Sequence, residues 1–228
     1  MSPIWTTIFT ALGGVLAGFA LTAALLYRRL DRLDVARRQT AAAEQRAAAA
    51  ELLARRDDTT GLPNRRAVRE HLERELAAGT GVGVVMLDLD GFKTVNDTFG
   101  HETGNDLLTA VGMRLADLRA PVRLAARLSG DEFVVLVTGD AEQTRACARA
   151  AWRAVTGTPI PIADRVGWQV TASVGYTTTG TSPTDLLRSA DQAMYQAKRS
   201  GGGVCEPAAA SQQPSLPQHI RCRDAHRS

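Results

Sequence analysis

The sequence predicts an α/β domain in which helices cover a central, mostly antiparallel sheet. Between residues 57 and 205, stretches with the apolar spacing of amphipathic helices alternate with short apolar runs that are typical of buried strands. Two of those runs, VRLAARL and FVVLV, are separated by a short polar turn, which predicts a hairpin. Two helical segments precede this domain, and a polar tail follows it.

Composition limits the classes to which the protein can belong. The 228 residues, 44% hydrophobic and 22% charged, are enough for one globular domain with appendages. The net charge of +3 and the dispersed arginines do not favour a nucleic-acid partner. The three cysteines, Cys147, Cys205 and Cys222, lack metal-ligand spacing, and their odd number fits a reducing cytoplasm.

Residues 1–27 carry no charged side chain, which predicts a transmembrane helix. A cleaved signal peptide is the alternative, but the basic segment that opens such a peptide is missing. Arginines follow the apolar stretch from Arg28 onward, and this pattern places the rest of the chain on the cytoplasmic side. We therefore expect a single-pass protein of the inner (cytoplasmic) membrane, with its N-terminus outside and its main domain in the cytoplasm.

Residues 28–56 predict a helical stalk, because they contain no Gly or Pro and are rich in Ala, Arg, Leu and Glu. Apolar residues recur at spacings near three, four and seven, which suits a short parallel coiled coil. A solvated single helix with charges paired along one face fits the same segment. The apolar positions are Leu30, Leu33, Ala41, Ala48 and Leu52.

Each element of the main domain has its own signal. AVREHLERELAA has the pattern of an amphipathic helix, and GVGVVMLDLD that of a buried strand with a polar end. GNDLLTAVGMRLADLR and AEQTRACARAAWRAV have helical spacing, and GWQVTASVGYTTT is strand-like. The helix SPTDLLRSADQAMYQAKRSG opens with a capping cluster and stops at Gly201. Residues 206–228, rich in Pro, Gln, Ser and Ala, predict a disordered tail.

Acidic residues lie at two strand ends. Because side chains alternate along a strand, Asp88 and Asp90 point to one face and Leu89 to the other. Carboxylates at such a place suit Mg²⁺, which usually leaves room for substrate phosphates. If the SGDEF turn lies beside this strand end, Asp131 completes the site. Alternatively, each aspartate is an ordinary strand-end or turn residue that bonds to the local backbone.

Five segments, in order, resemble the GGDEF family of diguanylate cyclases: DDTTGLPNRR, DLDGFKTVNDTFGHETGNDLL, RLSGDEF, VTASVGY and ADQAMYQAK. The resemblance implies a nucleotidyl cyclase-like, palm-type GGDEF domain over residues 57–205. It also implies an enzyme, a nucleotidyltransferase that condenses two GTP molecules into cyclic di-GMP and two pyrophosphates. Each domain would bind one GTP, so catalysis needs a homodimer, and the stalk would raise the effective concentration of one domain for the other.

The resemblance also implies roles for single residues. Asp88, the carbonyl of Leu89 and Asp131 would hold two Mg²⁺ (or Mn²⁺) ions per site, as in other two-metal displacements. Asp131 and Glu132 would be catalytic, with Asp131 assisting removal of the proton from the attacking 3′-hydroxyl. The implied substrate-binding residues are Lys93 and Lys198 for phosphate, Gly91, Phe92 and Gly130 for close backbone approach to phosphate, and Asn96, His101 and Asn105 for the base and sugar end.

The lysines support this assignment independently. Lys93 and Lys198 are the only lysines in a chain that otherwise uses arginine for its cations. An ammonium acts as a compact point charge for phosphate, whereas a guanidinium needs a matching fork.

Several positions depart from the family pattern. Ser129 replaces the first glycine of the turn, and we expect this small residue to be tolerated. Asn105 replaces the aspartate that reads guanine, which leaves one guanine donor unpaired at a cost of about 1–3 kcal/mol. Gly202 replaces an arginine that contacts phosphate. Residues 120–123 lack the Arg-x-x-Asp motif of product inhibition, so product feedback through that site is not expected.

These departures leave two alternative functions. One is a degenerate domain that acts as a GTP-binding or protein-interaction module. The other is a cyclase with relaxed base choice that makes mixed cyclic dinucleotides.

Overall fold

The computed structural model describes residues 3–162 and 166–206. These residues form two units, one up to Ala54 and one that starts at Arg55. The tail predicted over residues 206–228 lies outside the described residues, apart from Glu206.

The first unit is a single helix, α1 (Pro3–Leu53). The helix predicted over residues 28–56 is present up to Leu53, where α1 ends. Within the described residues, no helix combines the length and hydropathy that a membrane crossing needs, so the transmembrane helix expected over residues 1–27 is not supported.

The second unit is an α/β domain with a five-stranded mixed sheet, as the sequence predicted. The strands lie in the order β2-β3-β1-β6-β7, and a separate two-stranded hairpin is formed by β4 and β5. The helices are α2 (Arg65–Ala77), α3 (Phe92–Phe99), α4 (His101–Ala116), α5 (Ala141–Thr156) and α6 (Pro183–Arg199). The strands are β1 (Val82–Asp90), β2 (Val122–Ser129), β3 (Glu132–Thr138), β4 (Ile160–Ile162), β5 (Val166–Trp168), β6 (Thr171–Thr177) and β7 (Gly203–Cys205).

The sheet is antiparallel except at one edge. Strand β1 pairs antiparallel with β3 and β6, and β2 pairs antiparallel with β3. Strand β7 pairs parallel with β6. The run GWQVTASVGYTTT, predicted as one strand, is divided between β5, which pairs with β4, and β6 of the main sheet.

Side chains at the helix starts satisfy backbone amides that the helices themselves leave free. Asn64 accepts hydrogen bonds from the amides of Arg66 and Ala67 at the start of α2. Asp140 and Gln143 form a reciprocal capping box at the start of α5. At the start of α6, the side chain of Ser182 accepts a hydrogen bond from the amide of Asp185, as the capping cluster in the sequence predicted.

The two faces of the sheet carry two separate cores. One core contains Leu87 and Leu89 of β1 and packs against α4 and α5. The other contains Val84 and Met86 of β1 and packs against α2 and α6. Because side chains alternate along a strand, Asp88 follows Met86 onto the face that α2 and α6 cover.

Helix α6 lies directly on the backbone of β6. A β-carbon added at Gly175 would lie 2.0 Å from the backbone nitrogen of Met194 and 2.4 Å from the carbonyl oxygen of Ala190. Only a glycine lets the helix approach the strand this closely.

Candidate active site

The register of the sheet brings two acids together at one end. Asp88 of β1 lies directly opposite Glu132 of β3, so both carboxylates are on the same face of the sheet. Asp131 belongs to the turn between β2 and β3, and its carbonyl accepts a hydrogen bond from the amide of Leu89 at 3.3 Å. The SGDEF turn therefore lies beside the end of β1.

A lysine from the last turn of α6 reaches the same place. Lys198 Nζ donates to Asp88 Oδ1 at 2.6 Å, and Asp88 is only 8% exposed. Burial raises the pKa of Asp88, the bond from Lys198 opposes that shift, and the negative charge of Asp131 adds to it. The same bond to Asp88 is the main reason that the pKa of Lys198 lies above its ordinary value.

The acids fit a hard cation whose remaining ligands come from water or substrate. Among residues 3–162 and 166–206, no three side chains of His, Cys, Asp or Glu are grouped as a metal site. The predicted set is two carboxylates, Asp88 and Asp131, and the carbonyl of Leu89. Such a set suits Mg²⁺ when phosphate oxygens complete the coordination. Repulsion from Asp131 and Asp90 is part of what raises the pKa of Asp88, and a bound cation would relieve it.

The start of α3 provides backbone donors beside these acids. Gly91, the residue before α3, has a φ of 72°, and within the described structure no side chain caps this helix start. The first amides of a helix have no partner inside the helix, so those of Phe92 and Lys93 are available to phosphate oxygens. Lys93 is exposed. At the tip of the neighbouring turn, Gly130 has a φ of 50°, a backbone conformation that favours glycine.

The residues predicted for the base end lie around the bend between α3 and α4. Asn96 is on α3, His101 starts α4, and Asn105 is one turn further along α4. Gly104 allows the two helices to meet, since a β-carbon there would lie 1.9 Å from Oδ1 of Asn96. The exposed side chains of His101 and Asn105 thus flank the half-buried Asn96.

Gly202, where the family has an arginine, lies beside the acids. A β-carbon at this position would be 3.3 Å from Asp90 Oδ2, and its φ is 97°. Asp90 itself accepts a hydrogen bond from Ser173 Oγ at 2.8 Å.

Sequence reasoning missed two charged residues of the site. Arg65, the first residue of α2, lies 3.7 Å from Glu132 Oε2. Burial, followed by the charge of Glu132, raises the pKa of Asp191 on α6. Asp191 and Lys198 are two helical turns apart, so helical periodicity could have placed Asp191 on the face that carries the lysine.

A buried arginine joins the SGDEF turn to the segment that follows α1. Arg127 is 10% exposed and donates from Nε to the carbonyl of Gly130 and from Nη1 to Asp57 Oδ1, both at 2.9 Å. Burial alone would raise the pKa of Asp57, but hydrogen bonds from Thr60 and Arg127 outweigh it and hold that pKa below 3.8. The conformation of the turn therefore depends on an ionised Asp57.

We expect Asp57→Asn to lower the free energy of unfolding by about 2 kcal/mol at pH 7, because Arg127 loses its charged partner. A lowered pKa contributes stability that is present above the unfolded value of 3.8 and is lost as pH falls through the folded value. The difference between the variant and the wild type should therefore shrink below pH 3.8. Denaturant unfolding at a series of pH values measures it, with the exposed Asp58→Asn as control; a difference that stays constant with pH would contradict the assignment.

Three features lie side by side: the acidic sheet end with its lysine, the free amides at the start of α3, and the bend between α3 and α4. Together they define a site for a phosphorylated ligand with a divalent cation. Residues 54–203 match the family described as "Diguanylate cyclase, GGDEF domain". The chain belongs to this family.

Two curated relatives match the same part of the chain. The chain is 38% identical over 159 residues to the response regulator PleD of Caulobacter vibrioides, covering 65% of this chain and 35% of PleD. It is also 38% identical over 160 residues to the cyclic di-GMP phosphodiesterase PdeR of Escherichia coli, covering 67% of this chain and 24% of PdeR. The chain thus spans about a third or less of the length of these curated relatives.

A solved structure extends the likeness. The coiled coil and GGDEF domain of DgcB from Caulobacter crescentus, solved in complex with c-di-GMP, superposes with a TM-score of 0.69. The two sequences are 25% identical, and the match covers 77% of this chain and 97% of the DgcB chain.

Proposed function

We propose that this protein is a diguanylate cyclase that condenses two GTP molecules into cyclic di-GMP and two pyrophosphates. The observation that carries the proposal is the convergence, at one sheet end, of buried Asp88, its partner Lys198 and the turn residue Asp131. The match to the diguanylate cyclase family and the likeness to PleD support this proposal.

In this proposal each group has a defined task. Asp88, Asp131 and the carbonyl of Leu89 would hold Mg²⁺ or Mn²⁺, two ions per site. When bound, these ions neutralise charge on the attacking and leaving oxygens. Lys93, Lys198 and the amides that follow Gly91 bind the triphosphate.

The acids of the turn handle the proton. Asp131 accepts the proton of the attacking 3′-hydroxyl. Glu132 keeps a second negative charge beside Asp131. Neither carboxylate oxygen of Asp131 makes a hydrogen bond within the described residues, so both are available to ligand. Asn96, His101 and Asn105 bind the base and sugar of GTP.

A homodimer completes the reaction, because each domain supplies one GTP. Helix α1 exposes Leu33 and Leu52, two of the apolar positions predicted for the coiled coil. A heptad repeat of apolar side chains suits a parallel coiled coil with a second copy of this chain. Location at the cytoplasmic membrane stays a prediction.

The alternatives rest on specific observations. PdeR, a phosphodiesterase by name, matches the domain as well as PleD does, so a GGDEF domain also occurs in proteins of other activity. The lack of a side chain at Gly202 favours a domain that binds GTP without turnover. The single acceptor oxygen of Asn105 favours a cyclase that admits adenine in one half-site.

One assay separates these functions. The full chain is incubated with Mg²⁺ and GTP, ATP or both, and the products are identified by mass spectrometry. We expect cyclic di-GMP from GTP alone. A product that forms only when ATP is added would identify the mixed cyclase. If a folded dimer made no cyclic dinucleotide, the GTP-binding or interaction module would be the remaining function.

Asn105→Asp, which restores the second acceptor, is expected to lower the KM for GTP about tenfold, since an unpaired donor costs about 1–3 kcal/mol.

A further inference from the structure

Three carboxylates at the active-site end of the sheet share one arrangement. Lys198 Nζ donates a hydrogen bond to Asp88 Oδ1 at 2.6 Å, and a hydroxyl of β6 donates one to Asp90 Oδ1 at 2.8 Å. Glu132 accepts a hydrogen bond at Oε2 from the Ser129 hydroxyl at 3.0 Å. Within the part of the chain that the structure describes, the second oxygen of each carboxylate makes no hydrogen bond, so it is available to a ligand.

Glu132 is held from two directions. Ser129, the last residue of β2, pairs with Glu132 across the turn. Arg65, the first residue of α2, places Nη2 3.7 Å from the same oxygen, Oε2. The side chains of Arg65 and Glu132 are 56% and 35% exposed, so this ion pair by itself is weak. The Ser129 hydroxyl and the Arg65 guanidinium both contact Oε2 of Glu132, so together they favour one orientation of its carboxylate.

We propose that Ser129 and Arg65 are positioning residues for Glu132, and that they keep its Oε1 available to the cation. This inference rests on the proposed function. Ser129 is the position at which the turn departs from the family pattern. A glycine there has no hydroxyl to donate, so in this chain the serine adds a second anchor beside Arg65.

The sign of the effect separates positioning from simple charge. Removing the positive charge of Arg65 beside several carboxylates would by itself strengthen the attraction for a divalent cation. Removing an anchor frees Glu132 to rotate and weakens cation binding, as loss of outer hydrogen bonds does in metal sites generally. Weaker binding after loss of a positive charge therefore identifies a positioning residue.

The test measures Mn²⁺ affinity without turnover. Free Mn²⁺ is followed by electron paramagnetic resonance with the full chain and no nucleotide, because a triphosphate binds Mn²⁺ in solution by itself. Ser129→Ala and Arg65→Gln are each expected to weaken Mn²⁺ binding by about threefold to tenfold. Arg65→Lys should recover part of the affinity. Arg69→Gln removes the same charge from an exposed residue one turn further along α2 and is expected to leave the affinity unchanged.

The other outcomes overturn the inference. Tighter Mn²⁺ binding by Arg65→Gln would show that Arg65 acts only as a nearby charge. Equal affinities in all variants would show that Glu132 needs no anchor. No Mn²⁺ binding by the wild type would overturn the inference at its premise, that Glu132 faces a cation. A wild type that makes no cyclic dinucleotide, but whose Mn²⁺ affinity falls in both variants, would overturn the proposed function and leave the anchoring intact.

Discussion

Gly175→Ala is expected to destabilise the domain by about 3 kcal/mol or more and to lower its melting temperature by about 10 °C. The added methyl group would overlap the backbone of α6 at Met194 and Ala190. A backbone cannot rotate away as a side chain can, so the helix itself must move. Since α6 carries Lys198, the displacement should also lower the affinity for GTP. Thermal unfolding followed by circular dichroism measures the first effect.

Gly18→Ala is the matched control for the added methyl group. Among the residues that the structure describes, nothing lies within 4 Å of a β-carbon at Gly18 of α1, and alanine is the better helix former. This variant should unfold at or slightly above the wild-type temperature. A Gly175→Ala chain with a wild-type melting temperature would mean that α6 does not pack on β6 at this distance.

Asp131→Asn is expected to reduce cyclic di-GMP formation at least a thousandfold. Asparagine cannot accept the proton of the 3′-hydroxyl, and general-base catalysis alone contributes about 10²–10⁴-fold. The amide also binds a divalent cation less strongly than a carboxylate does. Initial rates at saturating GTP and Mg²⁺ measure the effect, and melting temperature shows whether the fold is retained.

Asp117→Asn, an exposed change at the end of α4, serves as the control for loss of one carboxylate. Its rate should equal that of the wild type. If Asp131→Asn retained a tenth or more of the wild-type rate while folded, Asp131 would not be the base, and the adjacent Glu132 would be the next candidate.

The sequence carried enough information for the fold because the strong signals are local. Apolar spacing, the capping cluster at Ser182 and the short turn before β3 each define an element without reference to the rest of the chain. The α/β class and the helix over residues 28–56 were predicted on these grounds, whereas the GGDEF family was predicted from the resemblance of five segments. Strand β7 was not, because three residues are too few to show a pattern.

The contacts of the site depend on register, which periodicity does not supply. Alternation places Asp88 on one face of β1, but only the pairing of β1 with β3 sets it opposite Glu132. The contact between Arg65 and Glu132 needs, in addition, the position of α2 on the sheet. From the sequence, Ser129 could be compared with glycine only by its size. The partner of its hydroxyl could not be predicted, because that contact depends on the geometry of the turn.

The strand order has a consequence for synthesis. Asp88 and Lys198 are 110 positions apart, and the strand that lies between β1 and β7 is made only after α5. At about 5–20 residues per second, a ribosome needs at least several seconds to add the segment that separates the acid from its lysine. During that interval the nascent chain holds its carboxylates without their counter-charge, and it has no complete nucleotide site. The molecule therefore gains its proposed activity only when α6 has been translated and has docked.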